Sequence, residues 1–132
     1  MTPIIVQKFG GSSLSDPERL EKCAQRVAHV APDHRPVIVV SAMGGTTDWL
    51  LNLAREITDQ PDARSLDMLL STGEIVSTSL MSIALRAKGI PAIPMTGAEA
   101  GITTDEIHGK ARIRSIPSTK LLDLLDDGNV PV

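Results

Sequence analysis

Val37-Ile38-Val39-Val40 is an unbroken β-branched run that ends directly in Ser41-Ala42-Met43-Gly44-Gly45-Thr46-Thr47-Asp48. Such a run lacks the alternation of a half-solvated strand. It is what a central parallel strand covered on both faces requires. Parallel neighbours need long crossovers, usually helical, so this one feature commits the chain to an α/β layout. The N-terminal segment repeats the arrangement. Ile4 to Val6 reads as a strand, and Lys8-Phe9-Gly10-Gly11-Ser12-Ser13 follows as a loop. Ser15-Asp16-Pro17-Glu18 predicts a helix start, with a capping box from Ser15 to Glu18 and Pro17 in the first turn. Leu20, Cys23, Ala24, Val27 and Ala31 then share one helical face, and Pro32 to Pro36 breaks the helix.

Beyond the apolar run, a second helix is expected to begin near Thr47 or Asp48, with Leu50, Leu53, Ala54 and Ile57 on its inner stripe. Ser65 to Lys88 reads as one long helix that Gly89 stops. Ile90 to Met95 is a short strand whose prolines suit an edge or a strand end. Ile102 to Ile116 is ambiguous, with a short strand at Ala111 to Ile113. Ser118 is expected to cap a last helix that Gly128 closes, and Val130-Pro131-Val132 opens another strand. The order predicts an α/β domain with a mainly parallel sheet. The pattern stops in mid-stride, which is expected of the first part of a larger domain.

Composition excludes several classes. Net charge is -3, and the aromatic residues are one Phe and one Trp, so neither a basic surface nor base-stacking rings are provided for nucleic acid. The single cysteine, Cys23, has no partner for an internal disulfide, which suits a reducing, cytoplasmic setting. The opening MTPIIVQKFGG has no long apolar segment and is not expected to be a signal peptide. The stretch Ile75 to Ala87, interrupted by Ser77, Thr78, Ser79 and Ser82, is read as too short and too polar to span a bilayer. Met68, Met81 and Met95 are expected in the core, and Trp49 half-buried at a helix start. His29, His34 and His108 lack metal-ligand spacing with any cysteine or carboxylate cluster, so no metal ligands are assigned.

Four motifs carry candidate chemistry. In Lys8 to Ser13, Gly10 and Gly11 allow backbone amides to approach an anion, the following helix N-terminus favours negative charge, and Lys8 adds a cation. The lysine precedes the glycines, so this is not a Walker A loop. The plainer reading is an ordinary strand-to-helix turn. The second motif, Ser41 to Asp48, lies at another strand end, where open α/β sheets bind their ligands. Ser41 and Thr47 offer hydroxyls there, although Thr46 or Thr47 serves equally as a helix cap. The third, Ser71-Thr72-Gly73-Glu74, places a glycine inside a helix at a cost of about 1 kcal/mol relative to alanine. A close neighbour must offset that cost, and Glu74 would then stand at a crevice, suited to an ammonium group. Taken alone, Glu74 reads as a solvated helix residue. The fourth, Thr96-Gly97 to Asp105, either lines a site or only turns the chain.

Together these segments resemble aspartate kinases: Lys8 to Ser13, Val39 to Asp48, Leu66 to Glu74, Thr96-Gly97 to Asp105, and His108 to Ile113, in order and along essentially the whole chain. The Lys8-to-Gly11 loop and the fold belong to the wider amino acid kinase family, while the Ser41-to-Asp48 loop and the Ser71-to-Glu74 helix point to aspartate. The resemblance implies a three-layer αβα sandwich, of which residues 1–132 form the N-terminal portion of the kinase domain. The rest of that domain and the regulatory ACT domains would be absent. It also implies that Lys8, Phe9, Gly10, Gly11 and Ser41 hold ATP, with Lys8 catalytic, and that Thr47 and Glu74 contact L-aspartate. The implied reaction is Mg²⁺-assisted phosphoryl transfer to the side-chain carboxylate, towards lysine, threonine and methionine. The complete enzyme would be a homo-oligomer, cytoplasmic, and without nucleic-acid or membrane partners.

Ser12 stands where the family usually has Thr, which keeps the hydroxyl. Ala98-Glu99 departs from the commoner Trp-Gln or Ala-Gln pair. Two alternatives stay open. One is another amino acid kinase, of the glutamate 5-kinase or acetylglutamate kinase type, against which the Ser71-to-Glu74 helix argues. The other is a non-catalytic α/β piece that binds a phosphate or a partner.

Overall fold

The structure is a computed structural model describing residues 2–132. Strand β1 (Ile4–Phe9) runs parallel to β2 (Arg35–Val40), in register from Ile4 opposite Arg35 to Phe9 opposite Val40. A 3₁₀ turn (Gly11–Leu14) and helix α1 (Pro17–Val30) form the crossover between them. Helices α2 (Thr46–Ile57) and α3 (Ala63–Ala87) follow. The short β3 (Ala92–Ile93) comes next, then a hairpin of β4 (Thr103–Thr104) and β5 (Ile113–Ser115), then α4 (Thr119–Asp126) and β6 (Val130–Pro131). β3 and β6 pair in parallel, and β6 lies alongside β2. The expected α/β class with parallel strands is therefore present.

The core lies on one face of these strands. Leu20, Cys23, Ala24 and Val27 of α1 and Met81 and Leu85 of α3 meet Phe9, Ile38, Ala92, Val130 and Val132. Leu14 of the 3₁₀ turn is fully buried among them. Two ion pairs tie the layers together at their rim, Lys88 with Glu21 of α1, and Arg35 of β2 with Asp126 of α4.

Several elements depart from the sequence expectations. β1 continues through Lys8 and Phe9, which were expected in the loop, because the parallel ladder with β2 extends to Val40. Both apolar strands alternate. Phe9, Pro36 and Ile38 are buried, while Ile4, Val6 and Val39 are exposed. The described elements thus cover β2 on one face rather than both. The capping box at Ser15 is replaced by Asp16, whose carboxylate accepts from the Arg19 amide at 2.9 Å, because Pro17 occupies the first helical position.

α2 packs chiefly on α3 through Leu50, so Leu53 and Ile57 of the expected inner stripe face solvent, as does Trp49 at 59% exposure. Met81 is in the core and Met95 half-buried, but Met68 is exposed near the start of α3. Ser118 precedes α4 without a side-chain cap. The ambiguous stretch resolves into the β4–β5 hairpin, and its turn docks on α3, where the Gly109 amide donates to Asp67 at 2.8 Å and His108 lies 3.3 Å from the same carboxylate.

α3 is longer than the stretch weighed above, and by length and composition alone it is apolar enough to cross a membrane. A core helix passes the same test. Gly73, Ser77, Met81, Ser82 and Leu85 are buried here, on a helix that packs against α1, α2 and the strands.

Candidate active site

The glycine turns after β1 and β2 are pressed together at the same end of the strands. The Ser41 amide donates to the Phe9 carbonyl at 3.1 Å, extending the ladder into the loops. A Cβ on Gly11 would lie 2.8 Å from the Ala42 carbonyl oxygen, and one on Gly44 would lie 3.2 Å from the Gly11 carbonyl oxygen. A Cβ on Gly73 of α3 would lie 2.9 Å from the Ala42 Cβ and 3.3 Å from the Thr46 Cγ2. The helix-interior glycine thus has the close neighbour that its helical cost demanded. Ala42, itself buried, stands at the junction of all three segments.

Gly45 opens α2 with φ +81° and no side chain caps that helix. The Thr46 amide donates to the Met43 carbonyl at 3.0 Å, and the Thr47 and Asp48 amides, with no side-chain cap, are available to an anion. Gly10 likewise precedes the 3₁₀ turn without a side-chain cap, and the space where its side chain would lie is open. Thr46 and Thr47, expected as possible caps, are instead the first residues of α2, and Thr47 is exposed.

Beside this junction is a cavity of about 500 Å³. Glu74 and Ser71 line it from α3, Val39 and Val40 from β2, and Thr96 and Gly97 from the loop after β3. Val132, at the end of β6, lines it too, whereas Pro36, Pro91 and Val130 line a second cavity at the strands' other end. The cavity also runs back along β2 to Val37. What places Glu74 at the carboxyl ends of the strands, where this class of sheet binds ligands, is its neighbour Gly73, packed on Ala42 and Thr46 just past β2. Its carboxylate makes no hydrogen bond or ion pair among the described residues, and neither does the exposed Lys8 ammonium. Lys8 does not itself line the cavity. It sits next to Val39 in the ladder, and Val39 does.

The fourth motif proves to be both a turn and a wall. The Glu99 carboxylate accepts from the Thr96 amide at 2.8 Å and the Thr96 hydroxyl at 2.9 Å, and the amide bond holds its pKa below the usual value. That closed turn presents Thr96, Gly97 and Ala100 to the cavity. Sequence reasoning named Ser71 only as part of its motif and missed Thr78, although both share the helical face of Glu74 and were legible from period alone. It also passed over Ala42 and Leu14, whose importance depends on contacts from distant segments.

The amino acid kinase family model matches residues 3–132. The chain belongs to the amino acid kinase family. Within it, the chain is 50% identical over 130 residues to an aspartokinase of Geobacillus stearothermophilus, covering 98% of this chain and 32% of that protein. It thus spans about a third of the length of such curated relatives. The crystal structure of an aspartate kinase from Synechocystis superposes with a TM-score of 0.84 at 45% identity, over 98% of this chain and 21% of that one. At 22% identity, E. coli aspartokinase III in complex with aspartate and ADP shares the fold, with a TM-score of 0.82 over 98% of this chain and 40% of that one. The described residues supply two glycine turns at neighbouring strand ends and one cavity carboxylate. They contain no group of three or more His, Cys, Asp or Glu able to hold a metal ion.

Proposed function

We propose that this chain is the ATP- and aspartate-facing part of an aspartate kinase, which transfers the γ-phosphoryl group of ATP to the side-chain carboxylate of L-aspartate. The observation that carries this reading is the junction at Ala42, which holds two glycine turns against the helix that bears Glu74. The extent of identity to aspartokinases supports it.

In this reading Lys8, the Phe9-Gly10-Gly11 turn, Ser41 and the uncapped start of α2 hold the ATP phosphates. Thr47 and Glu74 hold aspartate, with Glu74 at its ammonium group. A carboxylate oxygen bonds to the γ-phosphorus as the bond to the β,γ-bridging oxygen breaks, yielding 4-phospho-L-aspartate and ADP. The acceptor is already ionised at neutral pH, since free aspartate side chains titrate near 4. No general base is needed, and none of the site residues is assigned as one. The task is to bring two anions together, which calls for positioning and for neutralisation by a lysine and backbone amides. The described residues do not form a metal cage, so Mg²⁺ enters here as part of the MgATP substrate. The reading also includes a reducing cytoplasmic setting, which the lone Cys23 suits, and a homo-oligomeric complete enzyme; cell fractionation and sedimentation of the full-length protein test these.

Trapping of the acyl phosphate with hydroxylamine tests the chemistry in the full-length protein. Hydroxamate is expected from aspartate and ATP. Product from glutamate or acetylglutamate but not from aspartate would move the enzyme to another branch of the family. Lys8→Ala should reduce turnover at least about 100-fold, the scale of losing one preorganised charge partner. Glu74→Gln should raise the aspartate KM or lower kcat, and unchanged values of both would return Glu74 to a solvated surface role.

A further inference from the structure

We propose that Gly73 is a positioning residue for phosphoryl transfer, setting the spacing between the phosphate turns and Glu74, the carboxylate that holds the aspartate ammonium group. This rests on the aspartate kinase reading and adds to it a residue that touches neither substrate.

A buried glycine stands in the middle of α3. Gly73 has no surface to yield to solvent, and its helical backbone is one that alanine adopts more readily. Its neighbour explains the choice. A Cβ there would meet the Ala42 Cβ at 2.9 Å, a separation that real side chains do not tolerate. Neither partner is a flexible side-chain tip. Relief requires α3 to withdraw from the turn after β2, or that turn to lift.

The turn is not free to lift alone. It is packed on the turn after β1 with no room for a side chain between them: a Cβ on Gly11 would lie 2.8 Å from the Ala42 carbonyl oxygen, and one on Gly44 would lie 3.2 Å from both the Gly11 carbonyl oxygen and the Ser15 Cβ. A displacement of Ala42 is therefore passed to the turn after β1, where Gly10 and Gly11 lie. If α3 withdraws instead, Glu74 moves with it, because it is the next residue on the same helix. Either response changes the distance between donor and acceptor. A misplacement of about 1 Å costs on the order of 100-fold in rate when catalysis is mainly positioning.

The same geometry predicts its own suppressor. Removing the Ala42 Cβ vacates the space that a Gly73 side chain would take. In the full-length enzyme, Gly73→Ala is expected to lower kcat about 10- to 100-fold, with KM for ATP and aspartate changed much less. Adding Ala42→Gly to it should recover most of that loss, although each substitution alone is unfavourable. Ala42→Val, which adds bulk from the turn side, should reproduce the Gly73→Ala defect should the latter fold poorly. Thermal midpoints measured alongside separate placement from stability. A lowered midpoint with unchanged kcat per folded molecule, or a double variant no faster than Gly73→Ala, would overturn the positioning role. A wild-type enzyme that forms no aspartyl hydroxamate would sink the function reading and this role together, whereas an active wild type with strictly additive variants would sink this role alone.

Discussion

Cys23 shows how one residue reports its surroundings. It lies on the inner face of α1, its thiol donates to the Ser13 carbonyl at 3.3 Å, and burial pushes its pKa up. A thiol so placed stays protonated and unreactive, since the thiolate is the nucleophile. Iodoacetamide is expected to label Cys23 slowly in the native protein and rapidly once urea unfolds it; equal rates would mean that α1 is loosely docked. The linkage has a definite sign. The native pKa lies above the unfolded one, near 8.5, so the contribution to stability is complete below that value. It declines as pH rises through the native pKa, because only the unfolded chain then ionises freely. Wild type should therefore lose more stability than Cys23→Ala between neutral and alkaline pH in paired denaturant titrations.

Among the elements, the 3₁₀ turn between β1 and α1 has the larger role than its length suggests. Leu14 is fully buried, so the turn is anchored in the core while Gly10 and Gly11 stand at the junction with Ala42. Leu14→Ala is expected to cost about 2–5 kcal/mol in denaturant unfolding, as buried leucines do. It should also weaken nucleotide binding in a folded full-length variant, because the phosphate turn loses its anchor. A cost under about 1 kcal/mol would show that the pocket collapses around the missing side chain. α1 was legible as a helix, but its start moved by one residue. The competition between Ser15 and Asp16 for the cap was decided by the proline that must follow it. For α2 the period identified Leu50 correctly and Ile57 incorrectly. Periodicity locates a possible apolar stripe, but how much of it is covered depends on what packs against it, and α2 meets chiefly α3.

At the scale of the whole molecule, the sheet face opposite the core carries Ile4, Val6 and Val39, the second most exposed of them Ile4 and Val39 at 44% and the most exposed Val6 at 64%. Contiguous apolar surface of this kind drives association. A polypeptide of these 132 residues is therefore expected to self-associate in light scattering. Replacing Val6 by Glu should reduce that association, and unchanged scattering would place the sticky surface elsewhere, such as Trp49, Leu53 and Ile57 on α2.

The pattern of residues alone determined the α/β class, the long third helix, the stop at Gly89, and the candidacy of Lys8, Gly10, Gly11 and Glu74. These depend on local chemistry: apolar period, turn residues, and the anion-binding capacity of backbone at strand ends. Tertiary structure decided which motifs meet. It joined Gly11, Gly44 and Gly73 around Ala42, turned Thr96 and Gly97 towards Glu74, and left one face of β2 open. Contacts between residues far apart in the chain are set by how whole layers pack, and no local period encodes that distance.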